Sequence, residues 1–331
     1  MKRKSFLSIG ITAGLVAGLC SSPAYAQTQD AAGKTLDALE QVSDSAIQDG
    51  VHPLEANAVP ANDSSSLFSV NETEIQLPTS LDEELTLTSS DGLEIGLTLP
   101  NDQSAVQGTA LDNGMTAFDN GDGSTTIPAV KSDGSVQVST VIEDASAPSE
   151  YEYKFSLPEG AKISAYEGGA HFVGLDGEIL GGIAPAWAVD ATGAKVPTHF
   201  EFAGSTVTQV VDHEGFEYPI VADPMWGKDL IKSVKWISRS GVVSLSVVPT
   251  GWNRFNVGFQ PAISAGWKET LAKTPTKTLN KKKYNRAKAN TTRMYWQYRC
   301  HQVAAFTKSS WNLEPSKIRN TYLDYVKNLC N

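Results

Sequence analysis

The sequence predicts an α+β protein. It should carry a signal peptide, a mobile leader, an antiparallel β-rich, sandwich-like body, and a small basic α+β C-terminal domain with one disulfide. Three observations lead there. Apolar residues alternate with a period of two through the middle of the chain, punctuated by Asp-Gly turns. Near residue 224 the charge changes sign and helical spacing appears. Only two cysteines, Cys300 and Cys330, follow the signal.

Residues 1–26 read as a secretory signal. Lys2, Arg3 and Lys4 form the positive start, Phe6 to Leu19 the apolar core, and Ala24-Tyr25-Ala26 an A-x-A cleavage site. The apolar core is shorter than the roughly 20 residues of a bilayer span, and no other run approaches that length. Cys20 raises the alternative of lipidation, but Leu19 stands where a small residue normally precedes a lipidated cysteine. The expectation is a secreted, extracellular protein, soluble or associated with the cell wall, with no transmembrane segment after cleavage.

Residues 27–66 are polar and acidic, interrupted by Pro53, Pro60 and Ser64-Ser65-Ser66, and read as a mobile leader. Residues 67–223 read as the β-rich body. Leu85-Thr86-Leu87 and Leu93 to Leu99 flank an Asp91-Gly92 turn, and a second Asp-Gly at 133–134 precedes Val136 and Val138. Such alternation fits strands with one buried face. After a linker or long turn at Ala145 to Ser149, Tyr151, Tyr153 and Phe155 alternate, and turn signals recur to Val211. Tyr218 to Trp226, with two prolines, reads as an extended connector.

Residues 224–331 open with a hairpin, Ser233 to Ser238 and Val242 to Val248 around Arg239-Ser240-Gly241. Helices are expected over Ala262 to Lys273 and Thr291 to Phe306. A third should start with Pro315 at its first position, burying a stripe of Ile318, Tyr322, Tyr325 or Val326, and Leu329. Two thiols in an oxidising compartment imply a Cys300–Cys330 disulfide. Closing that loop should contribute about 3–4 kcal/mol.

Charge separates the chain more sharply than its total of −10 shows. From Pro224 onward 19 Lys and Arg face four acids, a net of +15, whereas Gln27 to Asp223 carries five bases and 33 acids, a net of −28. Such asymmetry calls for an anionic partner or an intramolecular acidic–basic contact. Lys281, Lys282, Lys283, Arg286, Lys288 and Arg293 form a cluster free of acids, with Tyr284, Tyr295, Trp296 and Tyr298 among them. Cations there would engage phosphates of nucleic acid, an anionic cell-wall polymer or lipid headgroups. The blander alternative is a solvated face with its aromatics in the core.

Catalytic signals are sparse. Cys300 and His301 are adjacent, so on a helix they point about 100° apart. His301 is the one candidate general base, as in a small nuclease. His171, His199 and His213 lack the spacing of a metal site. Asp119-Asn120-Gly121-Asp122-Gly123 alternates oxygen ligands but lacks the downstream glutamate of a calcium loop. No Walker loop, dinucleotide fingerprint or G-x-S-x-G occurs, and no cofactor or metal is expected.

Three stretches carry a resemblance. Ala184-Pro185-Ala186-Trp187-Ala188-Val189 with Val196-Pro197-Thr198-His199, then Tyr218-Pro219-Ile220-Val221-Ala222-Asp223-Pro224, resemble the β-module of exported actinobacterial proteins of unknown function. The tail, through Tyr298-Arg299-Cys300-His301 and Trp311-Asn312-Leu313-Glu314-Pro315, is similar to their uncharacterised C-terminal domain. The similarity spans about 151–331, departs after Glu314-Pro315, and implies export and paired cysteines but no activity. A β-module before a variable C-terminal unit also resembles some secreted toxins. Two readings follow: a non-enzymatic binder of an anionic cell-surface polymer or other polyanion, or an antibacterial effector, a nuclease for example, released near Asp223-Pro224.

Overall fold

A computed structural model describes residues 34, 37–39, 66–70, 73–101, 106–111, 115–276 and 284–331. The signal segment and most of the leader lie outside these residues.

Two antiparallel sheets pack face to face. The first has seven strands, ordered Leu67–Val70, Thr73–Gln76, Leu85–Ser89, Glu94–Thr98, Glu150–Ser156, Thr206–Val211 and Thr198–Ala203. The second has ten, with Val136–Ile142 near its centre, between Ser124–Val130 on one side and Ile220–Asp223 and Met225–Gly227 on the other. The inner faces interleave, with Leu87, Ile95, Leu97 and Tyr153 of one sheet meeting Val136, Val138 and Phe172 of the other. Phe155 stands edge-on to Trp226 at 5.5 Å between ring centroids.

The expected hairpins form. Leu85 faces Leu97 and Leu87 faces Ile95 across the Asp91-Gly92 turn, where Gly92 takes φ +85°. Glu150–Ser156 alternates exposed and buried along its whole length. The segment Ala145 to Ser149 is the turn that carries the chain from one sheet to the other, with Asp144 accepting from the Ser146 amide and hydroxyl.

One expectation fails in the ten-stranded sheet. Ser124–Val130 and Val136–Ile142 are buried on both faces, not one. The outer face has its own cluster, in which Ile127, Val141, Val189 and Val221 pack with Leu111, Ala38 and Leu39. Leu39, from the leader segment, is fully buried in this cluster, and the rest of the mobile-leader expectation lies almost wholly outside the described residues.

The connector reading of Tyr218 to Trp226 is also corrected. Ile220–Asp223 lies between Val136–Ile142 and Trp187–Val189, pairing with both. Met225–Gly227 lies between Val136–Ile142 and Ile179–Ile183. The carbonyl of Pro224 accepts from the amide of Val138. Two prolines restrict the backbone to extended geometry, and here that geometry is a pair of interior strands.

Beyond Gly227 a second core forms around a three-stranded sheet. The predicted hairpin is Ile231–Arg239 with Val242–Pro249, turning through Ser240 and Gly241 at positive φ. The third strand is Trp311–Leu313, with Val247 facing Trp311 and Leu245 facing Leu313. Against it pack helix α1 (Gln260–Lys273), the short α2 (Arg286–Ala289) and α3 (Thr292–Ala304). Helix α4 (Tyr322–Lys327) follows.

The predicted helix starting at Pro315 is not there. Thr321 caps α4 in a capping box with Asp324, so the helix starts seven residues later than expected. The intended stripe is not buried either: Tyr325 is, while Ile318 and Leu329 face solvent. A six-residue helix presents too short a face to bury a stripe. The disulfide joins Cys300 to Cys330, both buried, with Cα atoms 5.3 Å apart. No helix among the described residues is long and apolar enough to cross a membrane.

The two cores meet at Trp252, which is buried and donates through Nε1 to the Asp229 carbonyl at 2.8 Å. Its ring occupies a slot made by missing side chains. A Cβ on Gly182 would stand 2.9 Å from the ring and one on Gly227 2.8 Å. Nearby, Gly251 N donates to Asp133 at 2.7 Å, Lys232 reaches Ser132 at 2.8 Å, and Lys228 pairs with Asp91 at 3.3 Å. Trp252→Ala should therefore destabilise the chain by about 3–5 kcal/mol, as deletion of a large buried aromatic does. Chemical denaturation checks this, and a loss below about 1 kcal/mol would mean that the slot closes or contributes little.

Candidate anion-binding groove

The site begins with local capping. Thr291 turns out of helical geometry and accepts from the Met294 amide at 3.3 Å, which starts α3. Asn285 caps α2 in the same way, accepting from Lys288 N at 3.1 Å. The amides of Thr292 and Arg293 find no protein acceptor among the described residues, and no acid lies in the first turn of α3. That helix start therefore presents donors and partial positive charge.

Around it opens a groove of about 550 Å³. Lys288, Arg293 and Arg319 line it, with the hydroxyl-bearing Thr291 and Thr292 between them and Trp296 on one side. No acidic side chain lines it. Arg319 comes from the loop after the third strand, which Tyr325 shapes: its hydroxyl donates to the Lys317 carbonyl at 2.8 Å and accepts from Arg319 N at 3.3 Å. Arg319 also donates to the Asn331 carbonyl at 3.1 Å, tying the groove to the chain end.

The predicted basic cluster is divided by the fold. Lys288 and Arg293 stand in the groove, whereas Arg286 donates to the Ala272 carbonyl at the end of α1 and lines a different cleft, with Lys228 and Lys232. Lys281, Lys282 and Lys283 lie outside the described residues. Arg319 is the residue that sequence reading missed, since no spacing links it to a cluster that ends at Arg293. The aromatics divide too. Tyr298 is buried against Trp267 and Trp311, Tyr284 packs on Trp236, and Tyr295 packs on Trp267. Trp296, whose ring lies 6.3 Å from Tyr325, is the one of the four that borders the groove.

His301 lies elsewhere. It is buried beside the Asn312 backbone and lines neither the groove nor the cleft of Arg286. Burial, aided by the nearby Lys308 charge, lowers its pKa from 6.5 to about 4. Cys300 is consumed in the disulfide. The other histidines do not converge: His171 stacks on Phe259, His199 is exposed beside Glu201, and His213 bonds the Tyr218 hydroxyl at 2.7 Å. In the 119–123 turn Asp119 accepts from Gly121 N, and Asp122 accepts from Ser124. Among the described residues no three metal-ligating side chains gather.

Asp223 is fully buried, and burial pushes its carboxyl well above the usual range, against the opposing effects of the Gln137 side chain and the Lys131 charge. The Asp223-Pro224 bond is thus inside the sheet rather than on a cleavable surface.

Residues 231–331 match a protein family described as a protein of unknown function, DUF2599. The matched segment opens at the first strand of the three-stranded sheet and closes at Asn331, so it contains the whole groove and the disulfide. No curated protein and no solved structure matches the chain.

The histidine buried in this segment makes its stability acid-sensitive. A group whose pKa is lower folded than unfolded contributes stability that is complete above pH 6.5 and lost as pH falls toward about 4. The loss attributable to His301 should reach about 3 kcal/mol. His301→Gln should flatten that part of the stability–pH curve, read from denaturation midpoints between pH 7 and pH 4; an unchanged curve would refute the assignment.

Proposed function

We propose that the C-terminal domain is a polyanion-binding module of an exported protein, and that its groove takes phosphates of an anionic cell-surface polymer. The observation that carries this reading is the grouping of Lys288, Arg293 and Arg319 around the open amides of Thr292 and Arg293, with no acid on the lining. Cations and helix-start amides hold phosphate oxygens together. Trp296 adds a flat apolar wall on which a sugar or polyol face can rest. The +15 balance from Pro224 onward supplies attraction at longer range. The binding reading is preferred to the effector reading because both features of the latter, His301 and the Asp223-Pro224 bond, are buried.

Binding to a polyol-phosphate wall polymer should fall steeply with ionic strength. The double variant Lys288→Glu/Arg293→Glu should weaken it by about tenfold or more and reduce the slope of log affinity against log salt by about 2. Both side chains are exposed, so folding is preserved. Affinity measured at several salt concentrations decides. Salt-insensitive binding, or an affinity unchanged in the variant, would exclude the groove as the site.

A further inference from the structure

The surface at the end of the chain carries a different feature. Among the described residues the exposed large aliphatic side chains are Leu175, Val242, Val303, Ile318, Leu323, Val326 and Leu329, with the three valines the least exposed. Five of these fall between 303 and 329, so the exposure is concentrated rather than scattered. Leu323 is 64% exposed and Leu329 81%. Leu323 and Val326 are three apart on α4 and share a face.

The backbone holds this arrangement deliberately. Leu329 and Cys330 take φ +54° and +72°, a left-handed geometry that side chains other than glycine and asparagine rarely adopt. The disulfide fixes it, placing Leu329 beside α3, where Val303 lies one turn beyond Cys300. Cations surround these side chains in the chain. Lys317, Arg319 and Lys327 lie between 315 and 331 with Asp324 as the one acid, and Asp324 is engaged in the Thr321 cap. From α3, Arg299 stacks over the Tyr322 ring at 4.5 Å.

We infer that this disulfide-locked knob docks into the interface of an anionic lipid bilayer. Leu323, Val326 and Leu329 enter the boundary between headgroups and acyl chains, while Arg299, Arg319 and Lys327 meet headgroup phosphates. Exposed apolar side chains flanked in sequence by cations are the pattern of an interfacial anchor. Charge complementarity selects this occupant over a second copy of the chain. A twofold contact through the same patch would bring its cations face to face, whereas an anionic bilayer neutralises them. The inference shares Arg319 with the groove, but its apolar side chains, Leu323, Val326 and Leu329, lie outside it.

The test uses the purified, oxidised protein with vesicles of phosphatidylcholine alone or with added phosphatidylglycerol. The expected result is binding to the phosphatidylglycerol vesicles that falls about tenfold or more in Leu323→Ser/Leu329→Ser. The melting temperature and affinity for the polyol-phosphate polymer should stay unchanged. A Leu323→Trp variant should show blue-shifted emission on the anionic vesicles, which reports insertion directly. Equal binding of parent and serine variant, no vesicle binding by the parent, or an unshifted tryptophan would each overturn the inference. So would a parent that is dimeric in solution and a serine variant that is monomeric, since the patch would then belong to a second copy.

Discussion

The passage of Ile220 to Gly227 through the interior of the ten-stranded sheet sets the rest of the architecture. This short stretch completes the sandwich core through Ile220, Ala222 and Trp226, while Met225 packs into the second core. The chain changes partners without leaving the sheet. Gly227 then leaves room for Trp252, whose ring returns to the same sheet from the C-terminal side. Two hydrophobic clusters are thereby joined through buried backbone pairing and one large aromatic, not through a flexible tether. The arrangement has an electrostatic penalty: Asp223 is carried inside, where desolvation favours its neutral form.

Much of this was legible from the sequence, and the failures have physical reasons. The hairpins at 85–99 and 231–249 and the helices at 260–273 and 292–304 each combine a local period with a turn or cap signal. Such elements declare themselves because their patterns are short-range. The disulfide followed from there being two candidates. The interior strands at 220–227 did not show, because two prolines and a change of charge look like a boundary when tertiary pairing is invisible. Trp311–Leu313 is three residues long and is a strand only because Val242–Pro249 leaves an edge for it. Pro315 was misread as a helix start, since Thr321 and Asp324 form a better cap further on.

The groove was half legible for the same reason. Lys288 and Arg293 stood in a visible run, and local capping places both. Arg286 belonged to the same run, yet the turn between α2 and the end of α1 directs it to a carbonyl. Arg319 entered from a loop whose shape depends on the Tyr325 hydroxyl, a contact with no sequence period. A charge run thus identifies a region of positive potential, whereas the fold decides which of its members converge.

Charge also limits what the acidic body does. The −28 and +15 portions sum to −13, so the protein as a whole should be repelled by a polyanion. That sum is not what a bound phosphate meets. At physiological salt, potentials decay over about 8 Å, so the lining of the groove outweighs carboxylates farther away. Across the junction Lys228 pairs with Asp91, and the Asp133 charge acts on Arg254. Trp252 and the contacts of Lys232 with Ser132 and of Gly251 with Asp133 also hold the body to the tail. Lys288 and Arg293 are exposed to solvent, so on the proposed reading an incoming anion meets them directly.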